Sequence, residues 1–158
     1  MPMRLEYSTV ANCKPDHIWQ AFQHVEEWPK WSSVIANTQW IEGEPWAKDS
    51  KFQMQILQPI PVTFRPRILE VSPPGYVHWI GETTAVNAEQ WFSFETQPDG
   101  TTLMKTWQEF TGPMSFMFGE SVRTTITNIY VDLFRSLKEA AEKLAISSPN
   151  GDPSPSHP

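Results

Sequence analysis

Residues 88–110 read AEQWFSFETQPDGTTLMKTWQEF, with two runs rich in aromatic, apolar and β-branched residues on either side of Pro98-Asp99-Gly100. Runs of this composition are typical of strands, and a Pro-Asp-Gly sequence between them is a strong turn signal. The stretch therefore predicts an antiparallel hairpin, with strands over 88–97 and 101–110.

The register of this hairpin decides which side chains share a face, because directly opposed residues of paired strands lie on the same face of the sheet. We assume a two-residue turn at Asp99-Gly100. The opposed pairs are then Phe94 with Lys105, Phe92 with Trp107, and Gln90 with Glu109. We expect this face to be the concave, buried one, although a turn one residue longer would move Glu109 to the other face.

The rest of the chain predicts further strands and two kinds of helix. Strands are expected over 3–11, 50–57, 62–71 and 76–84. Residues 14–25 predict a helix because apolar residues recur at spacings of four and three, and Trp28-Pro29 interrupts it before a second short helix. Residues 122–146 predict one long helix with a single apolar stripe.

The order of these elements, together with several local motifs, resembles the START-like superfamily, also called SRPBCC or polyketide-cyclase-like. The motifs lie in order along nearly all of residues 3–146. They are PDHIWQAF, EEWPKWSSVI, FRPRILEVSPPGYVHWIG, FSFETQPDGTTL and QEFTG.

The resemblance implies an α+β helix-grip fold. A curved antiparallel sheet of six or seven strands would wrap around the long C-terminal helix, with two short helices after the first strand. Such folds usually leave a deep apolar cavity between sheet and helix. We expect one ligand-binding domain over 1–146 and a disordered Pro/Ser-rich tail over 147–158.

The hairpin arithmetic and the resemblance together indicate which residues would line the cavity. They are Phe52, Met54, Phe64, Ile68, Trp79, Gln90, Phe92, Phe94, Trp107, Glu109, Phe116, Met117, Ile126, Tyr130 and Phe134. The second hairpin places His78 on the opposite face. Trp28 and Trp31 are expected to close one end of the fold rather than to contact ligand.

Glu109 is the candidate catalytic residue. A carboxylate in an apolar hollow should have a raised pKa and could act as a general acid or base. The alternative roles for Glu109 are a rim position or a hydrogen bond with Gln90. The segment PMSFMFG, which contains Phe116 and Met117, could form an adaptable gate or simply pack under the helix. Arg123 could meet an anionic ligand group or lie on the surface.

Composition excludes several classes of function. The chain has 158 residues, a formal charge of −6 and one cysteine, Cys13. This acidic balance disfavours nucleic acid as a partner, and no apolar run is long enough for membrane insertion. One cysteine permits neither an internal disulfide nor a thiolate cluster, so no metal or cofactor is expected, and the cytoplasm is the expected location.

The favoured function is binding of a hydrophobic or aromatic small molecule, such as a lipid, an isoprenoid or a polyketide. One alternative is a cyclase or dehydratase of polyketide-like substrates that uses Glu109. Another is a protein-interaction module of the chaperone-activator kind. No familiar catalytic motif, such as G-x-S-x-G or H-E-x-x-H, occurs in the sequence, which favours binding over catalysis.

Overall fold

The computed structural model describes residues 3–57, 61–82, 85–113, 115 and 119–147. The strands are β1 (Met3–Ala11), β2 (Ile35–Glu42), β3 (Lys51–Ile56), β4 (Val62–Phe64), β5 (Arg67–Ser72), β6 (Tyr76–Glu82), β7 (Asn87–Thr96) and β8 (Thr102–Thr111). The helices are α1 (Pro15–Phe22), α2 (Trp28–Trp31) and α3 (Glu120–Ser147), with a 3-10 turn over Val25–Glu27.

The strands form one curved antiparallel sheet in the order β1-β8-β7-β6-β5-β3-β2, with β4 paired to β3 outside this path. The helix α3 packs against α1 and β1 and covers the concave side of the sheet. The predicted helix-grip architecture is confirmed. β3 and β5 share a single pair, Lys51 with Arg67, so the sheet diverges at this point.

One strand of the sheet, β2, has no counterpart in the sequence prediction. Its residues IANTQWIE do not alternate cleanly between apolar and polar. The pairing of β2 with β3 shifts register twice, and Asn37 has a φ of 54°. Because each bulge adds a residue to one strand, the period of two on which strand recognition depends is lost.

The helices differ from the prediction mainly at their ends. The helix predicted over 14–25 ends at Phe22, and a separate short helix begins at Trp28. The long helix begins at Glu120 and ends at Ser147. The disordered tail predicted from residue 147 onward lies, beyond Ser147, outside the described residues. None of the helices in the described part of the chain is both long and apolar enough to cross a membrane.

Candidate functional site

The β7–β8 hairpin has a register one residue away from the predicted one. The loop holds three residues, because the Gly100 N–H donates to the Gln97 carbonyl at 3.0 Å and the Gln97 N–H donates to the Thr101 carbonyl at 2.8 Å. Gln97 and Thr101 close the loop, and the strand pairing continues with Thr96 opposite Thr102. The opposed inner-face pairs are Phe94 with Met104, Phe92 with Thr106, Gln90 with Gln108 and Ala88 with Phe110.

This register reverses the expected placement of Trp107 and Glu109, which lie on the outer, convex face. Trp107 stacks on Trp91 there, with ring centroids 5.8 Å apart. Glu109 Oε2 accepts a hydrogen bond from Arg4 Nη1 at 2.9 Å, and its side chain is 32 % exposed. The prediction that Trp107 and Glu109 line the cavity was wrong. One additional loop residue exchanged the faces of β8.

The β5–β6 hairpin also has a three-residue loop, with Ser72 opposite Tyr76. A bulge between Ile68 and Glu70 compensates for the shift, so Ile68 lies opposite Trp79 on the inner face. His78 points outward, as predicted. Its Nε2 lies 2.6 Å from Glu89 Oε2, and its ring stacks on Trp91 with centroids 4.5 Å apart.

The interior near α1 is filled by aromatic rings in mutual contact. The Phe22 ring centroid lies 5.0 Å from that of Trp28 and 5.1 Å from that of Phe92. Trp79 lies 4.8 Å from Phe92 and 5.2 Å from Phe52. We call this set the aromatic core. It comprises Phe22, Trp28, Phe52, Trp79, Phe92 and Phe134, all fully buried. The expected hollow therefore does not extend into this half of the interior.

Trp28 belongs to the aromatic core. Its Nε1 donates to the Phe22 carbonyl at 2.8 Å, which fixes the short helix against the end of α1. Trp31 is half-buried and contacts Trp28 with ring centroids 6.1 Å apart. The structural role expected for this segment is confirmed for Trp28.

A second, smaller cluster lies toward the N-terminal half of α3. We call it the distal cluster, and its buried members are Leu5, Ala88, Phe110 and Tyr130. Met3, Tyr7, Phe64, Val86 and Ile126 pack against it. Strand residues and one helix residue thus meet at the end of the interior opposite to α1.

Uncharged polar groups lie between the aromatic core and the distal cluster. Gln90 Nε2 donates to Thr106 Oγ1 at 3.0 Å, and Thr106 Oγ1 donates to the Trp91 carbonyl at 2.9 Å. Gln108 lies directly opposite Gln90 and is also buried. We call Gln90, Thr106 and Gln108 the inner polar row. It offers amide and hydroxyl groups on an otherwise apolar face.

Two further polar groups face the interior with no hydrogen-bond partner among the described residues, the hydroxyl of Tyr130 and the Nε1–H of Trp79. Tyr130 is 5 % exposed and belongs to the same buried cluster as Leu5, which lies opposite Gln108. Burial raises the pKa of Tyr130 above its ordinary value, so the hydroxyl remains protonated at neutral pH. Both groups are neutral hydrogen-bond donors, and an unpaired buried donor is uncommon.

The remaining predicted lining residues are mostly inside. Met54, Ile68, Phe94 and Phe134 are buried in the larger cluster that contains the aromatic core. Ile126 is half-buried beside the distal cluster, whereas the predictions for Phe116 and Met117 lie outside the described residues.

Two other candidates have unremarkable surroundings. Arg123 lies 3.9 Å from Glu120 on the same helix and is partly exposed, which fits the surface alternative. Cys13 is buried, and this burial raises its pKa to about 12, which disfavours the reactive thiolate form.

The chemistry available on the inner face of the sheet is that of neutral hydrogen bonds. The buried polar side chains of the described residues are hydroxyls and amides, apart from the imidazole of His17 in the first turn of α1. The described residues also contain no group of three or more His, Cys, Asp or Glu side chains that could hold a metal ion. Such a surface suits a molecule with an apolar body and a few carbonyl or hydroxyl groups.

A cleft of about 530 Å3 between α1–α2 and α3 has no counterpart in the sequence prediction. Its sides combine apolar residues with charged residues from both helical segments. They are Gln20, Ala21, His24, Glu27, Lys30, Trp31, Ser136, Glu139, Ala140, Lys143 and Leu144. The cleft lies outside the interior, and Lys30 already pairs with Glu27 at 2.9 Å.

Comparison with known proteins gives a family match and many similar folds. The family model described as polyketide cyclase / dehydrase and lipid transport matches residues 2–142. The Zhui aromatase/cyclase from Streptomyces sp. R1128 is similar with a TM-score of 0.77 and 11% identity, over 92% of this chain and 96% of that one.

Two further solved structures have a similar fold. A START superfamily protein from Mycobacterium smegmatis has a TM-score of 0.73 and 14% identity, over 89% of this chain and 98% of that one. Major latex-like protein 151 from Panax ginseng has a TM-score of 0.72 and 13% identity, over 88% and 97%. No curated protein sequence matches the chain.

Proposed function

The chain belongs to the polyketide cyclase / dehydrase and lipid transport family, and from this premise we propose that it binds an uncharged, largely apolar small molecule between the sheet and α3. The ligand class we favour is an aromatic or polyketide-like molecule with carbonyl or hydroxyl groups. The binding region is the distal half of the interior, since the aromatic core fills the other half.

The observation that carries this proposal is the unpartnered hydroxyl of Tyr130. A buried hydroxyl without a hydrogen bond destabilises a fold by about 1–3 kcal/mol relative to a paired one. A ligand carbonyl beside Tyr130 would accept this hydrogen bond. The inner polar row supplies further neutral donors and acceptors beside the distal cluster, since Leu5 of that cluster lies opposite Gln108.

Apolar burial would supply most of the affinity. Each Å2 of apolar surface removed from water contributes about 25 cal/mol, so a molecule of two or three rings needs few polar contacts. The polar groups would instead select among apolar ligands, because a site that hydrogen-bonds a hydroxyl or carbonyl strongly disfavours an analogue that lacks it.

The enzymatic alternative in the form that relied on Glu109 is not retained. Glu109 lies on the outer face and pairs with Arg4, so it has no access to a ligand inside the sheet. No specific observation favours the chaperone-activator alternative. Binding is therefore the function we put forward.

Native mass spectrometry and thermal unfolding test this proposal. The purified chain is screened against hydroxylated anthraquinones, naphthols and sterols, with matched hydrocarbons of the same ring number. We expect at least one oxygenated compound to raise Tm by several degrees and its hydrocarbon analogue to have a smaller effect. Absence of any co-purified ligand, together with no shift across the panel, would refute the proposal.

Tyr130→Phe tests the role of the hydroxyl, and Tyr76→Phe is a matched control on the outer face. We expect Tyr130→Phe to bind the ligand about three- to tenfold more weakly, because one neutral hydrogen bond is lost. The ligand-free variant should be as stable as the wild type or more stable, since an unpartnered polar atom is removed. Tyr76→Phe should leave the affinity unchanged.

A further inference from the structure

We propose that Phe64 is the residue that sets the length of ligand the interior accepts, because its ring closes the interior between β4 and β6. This inference rests on the proposed function. The inference adds that one side chain, together with the small residues that make room for its ring, selects ligands by size.

The Phe64 ring lies against the backbone of Gly81. A Cβ placed on Gly81 would clash with the Cε1 and Cζ atoms of the ring, so the ring occupies the space that any side chain at this position would need. Phe64 pairs with Met54 of β3, whereas Gly81 belongs to β6, and β5 separates these strands in the sheet order. The ring therefore bridges two strands that do not pair with each other.

Phe64 lies at the boundary between the distal cluster and the larger cluster that contains the aromatic core. Among the described residues, Phe64 and Tyr7 are the two half-buried side chains that pack against both the distal cluster and the larger cluster with the aromatic core. Tyr7 comes from β1 at one edge of the sheet, and its ring meets Phe134 edge-on, with centroids 6.0 Å apart. Phe64 reaches the same boundary from β4, which pairs with β3 near the opposite edge of the sheet.

Small residues create the recess that the Phe64 ring fills. Gly81 lies directly opposite Ala88 in the β6–β7 pairing, and both belong to the inner face. The next inner position on β7 is Gln90, so the recess adjoins the inner polar row. Without the Phe64 ring, this recess would be open beside Gln90. A longer ligand could then place its apolar end over Gly81 and Ala88.

A double-mutant cycle tests the contact without any ligand. Gly81→Ala should lower the urea midpoint of the wild type clearly, because the new methyl group displaces the Phe64 ring. In a Phe64→Ala background the same substitution should lower the midpoint by less than half as much, since the methyl group then has room. Equal effects of Gly81→Ala in the two backgrounds would overturn the geometric basis of the inference.

Ligand length is tested with 4-alkylphenols whose chains have two to nine carbons, by tryptophan fluorescence or calorimetry. Each additional buried CH2 strengthens binding about fourfold. We expect Phe64→Ala to bind the longest members about tenfold more tightly than the wild type does, with ethylphenol changed by less than about threefold. Phe64→Leu, which preserves more of the core, should shift the preference in the same direction by a smaller amount.

Thr63→Ala is the matched control, because Thr63 is the exposed neighbour on the same strand. It should leave the preference for chain length unchanged. If the wild type binds alkylphenols and neither Phe64 variant alters the length preference, the role of Phe64 is refuted while the proposed function stands. If neither the wild type nor any variant binds any alkylphenol, the selection by Phe64 is refuted, and the proposed function fails as well only if the ring-compound panel also leaves Tm unchanged and no ligand co-purifies.

Discussion

Arg4 and Glu109 form an ion pair on the outer face of the β1–β8 pair, with Arg4 Nη1 donating to Glu109 Oε2 at 2.9 Å. The Arg4 guanidinium also lies over the Trp107 ring, 5.7 Å from its centroid. This arrangement directs the carboxylate away from the interior. The position facing the interior on the same strand belongs to the neutral amide of Gln108.

We therefore predict that Glu109→Gln leaves ligand affinity unchanged within about twofold. Partly exposed ion pairs contribute little, so the free energy of unfolding should fall by less than about 1 kcal/mol. Calorimetric titration and urea unfolding measure the two quantities. A large loss of affinity in Glu109→Gln, with Arg4→Gln unaffected, would show that the carboxylate acts on the ligand after all.

Phe22 is expected to be among the most destabilising positions in the chain. Its ring touches both Trp28 and Phe92, and it is fully buried. Phe22→Ala should lower the free energy of unfolding by about 3–5 kcal/mol, because it removes buried apolar area and leaves a cavity. Urea unfolding followed by tryptophan fluorescence measures the effect.

Ile146→Ala is the control for this substitution, since Ile146 is 79 % exposed near the end of α3. Its effect should remain within about 0.5 kcal/mol. A Phe22→Ala variant no less stable than Ile146→Ala would contradict the close packing of the aromatic core.

The sequence was informative about strand faces and uninformative about registers. Alternation along a single strand correctly placed Gln90, Phe92 and Phe94 on one face, because side-chain direction has a fixed period of two. The pairing between strands depends on loop length. One more loop residue near Asp99-Gly100 places Thr106 and Gln108 on the inner face in place of Trp107 and Glu109. Composition alone does not reveal such a loop residue.

The sequence also did not predict how completely the side chains fill the interior. Apolar residues on a strand face look the same whether they line a hollow or interlock. The contacts of Phe22 with three other aromatic-core rings, Trp28, Trp79 and Phe92, depend on the angle at which α1 crosses the sheet, and no local pattern encodes this angle. The boundary ring of Phe64 was predicted to face inward, but its dependence on Gly81 needs the three-dimensional arrangement of β4 and β6.

Cys13 gives a prediction about reactivity. Burial, with a smaller contribution from the negative charge of Glu142, raises the pKa of the thiol from 9.0 to about 12. Because the thiolate is the reactive form, the native protein should react with a thiol reagent such as DTNB at pH 8 far more slowly than the urea-unfolded chain does. Equal rates in the two states would contradict the burial of Cys13.

The same shift predicts loss of stability in alkali. The folded state retains the Cys13 proton up to about pH 12, whereas the unfolded chain releases it near pH 9. The contribution of this thiol to the free energy of unfolding is therefore complete below pH 9. Above pH 9 it falls by up to about 1.4 kcal/mol per pH unit. Burial also raises the pKa of Tyr130, so this residue should steepen the loss of stability above pH 10.0, its ordinary pKa. Cys13→Ala should have a shallower decline between pH 9 and pH 11 in urea unfolding.

The stacked rings on the outer face provide the last prediction. Trp91 stacks on Trp107 at 5.8 Å with an angle of 6° between the planes, and His78 stacks on the other side of Trp91 at 4.5 Å. These residues come from three adjacent strands, so the rings bind β6, β7 and β8 together across the convex face. A double-mutant cycle of Trp91→Leu and Trp107→Leu should give a coupling of about 0.5–1.5 kcal/mol in the free energy of unfolding. Ligand affinity should be unchanged in each variant, because the rings lie on the opposite side of the sheet from the inner polar row. Additive effects of the two substitutions would show that the stacking contributes nothing beyond the burial of each ring.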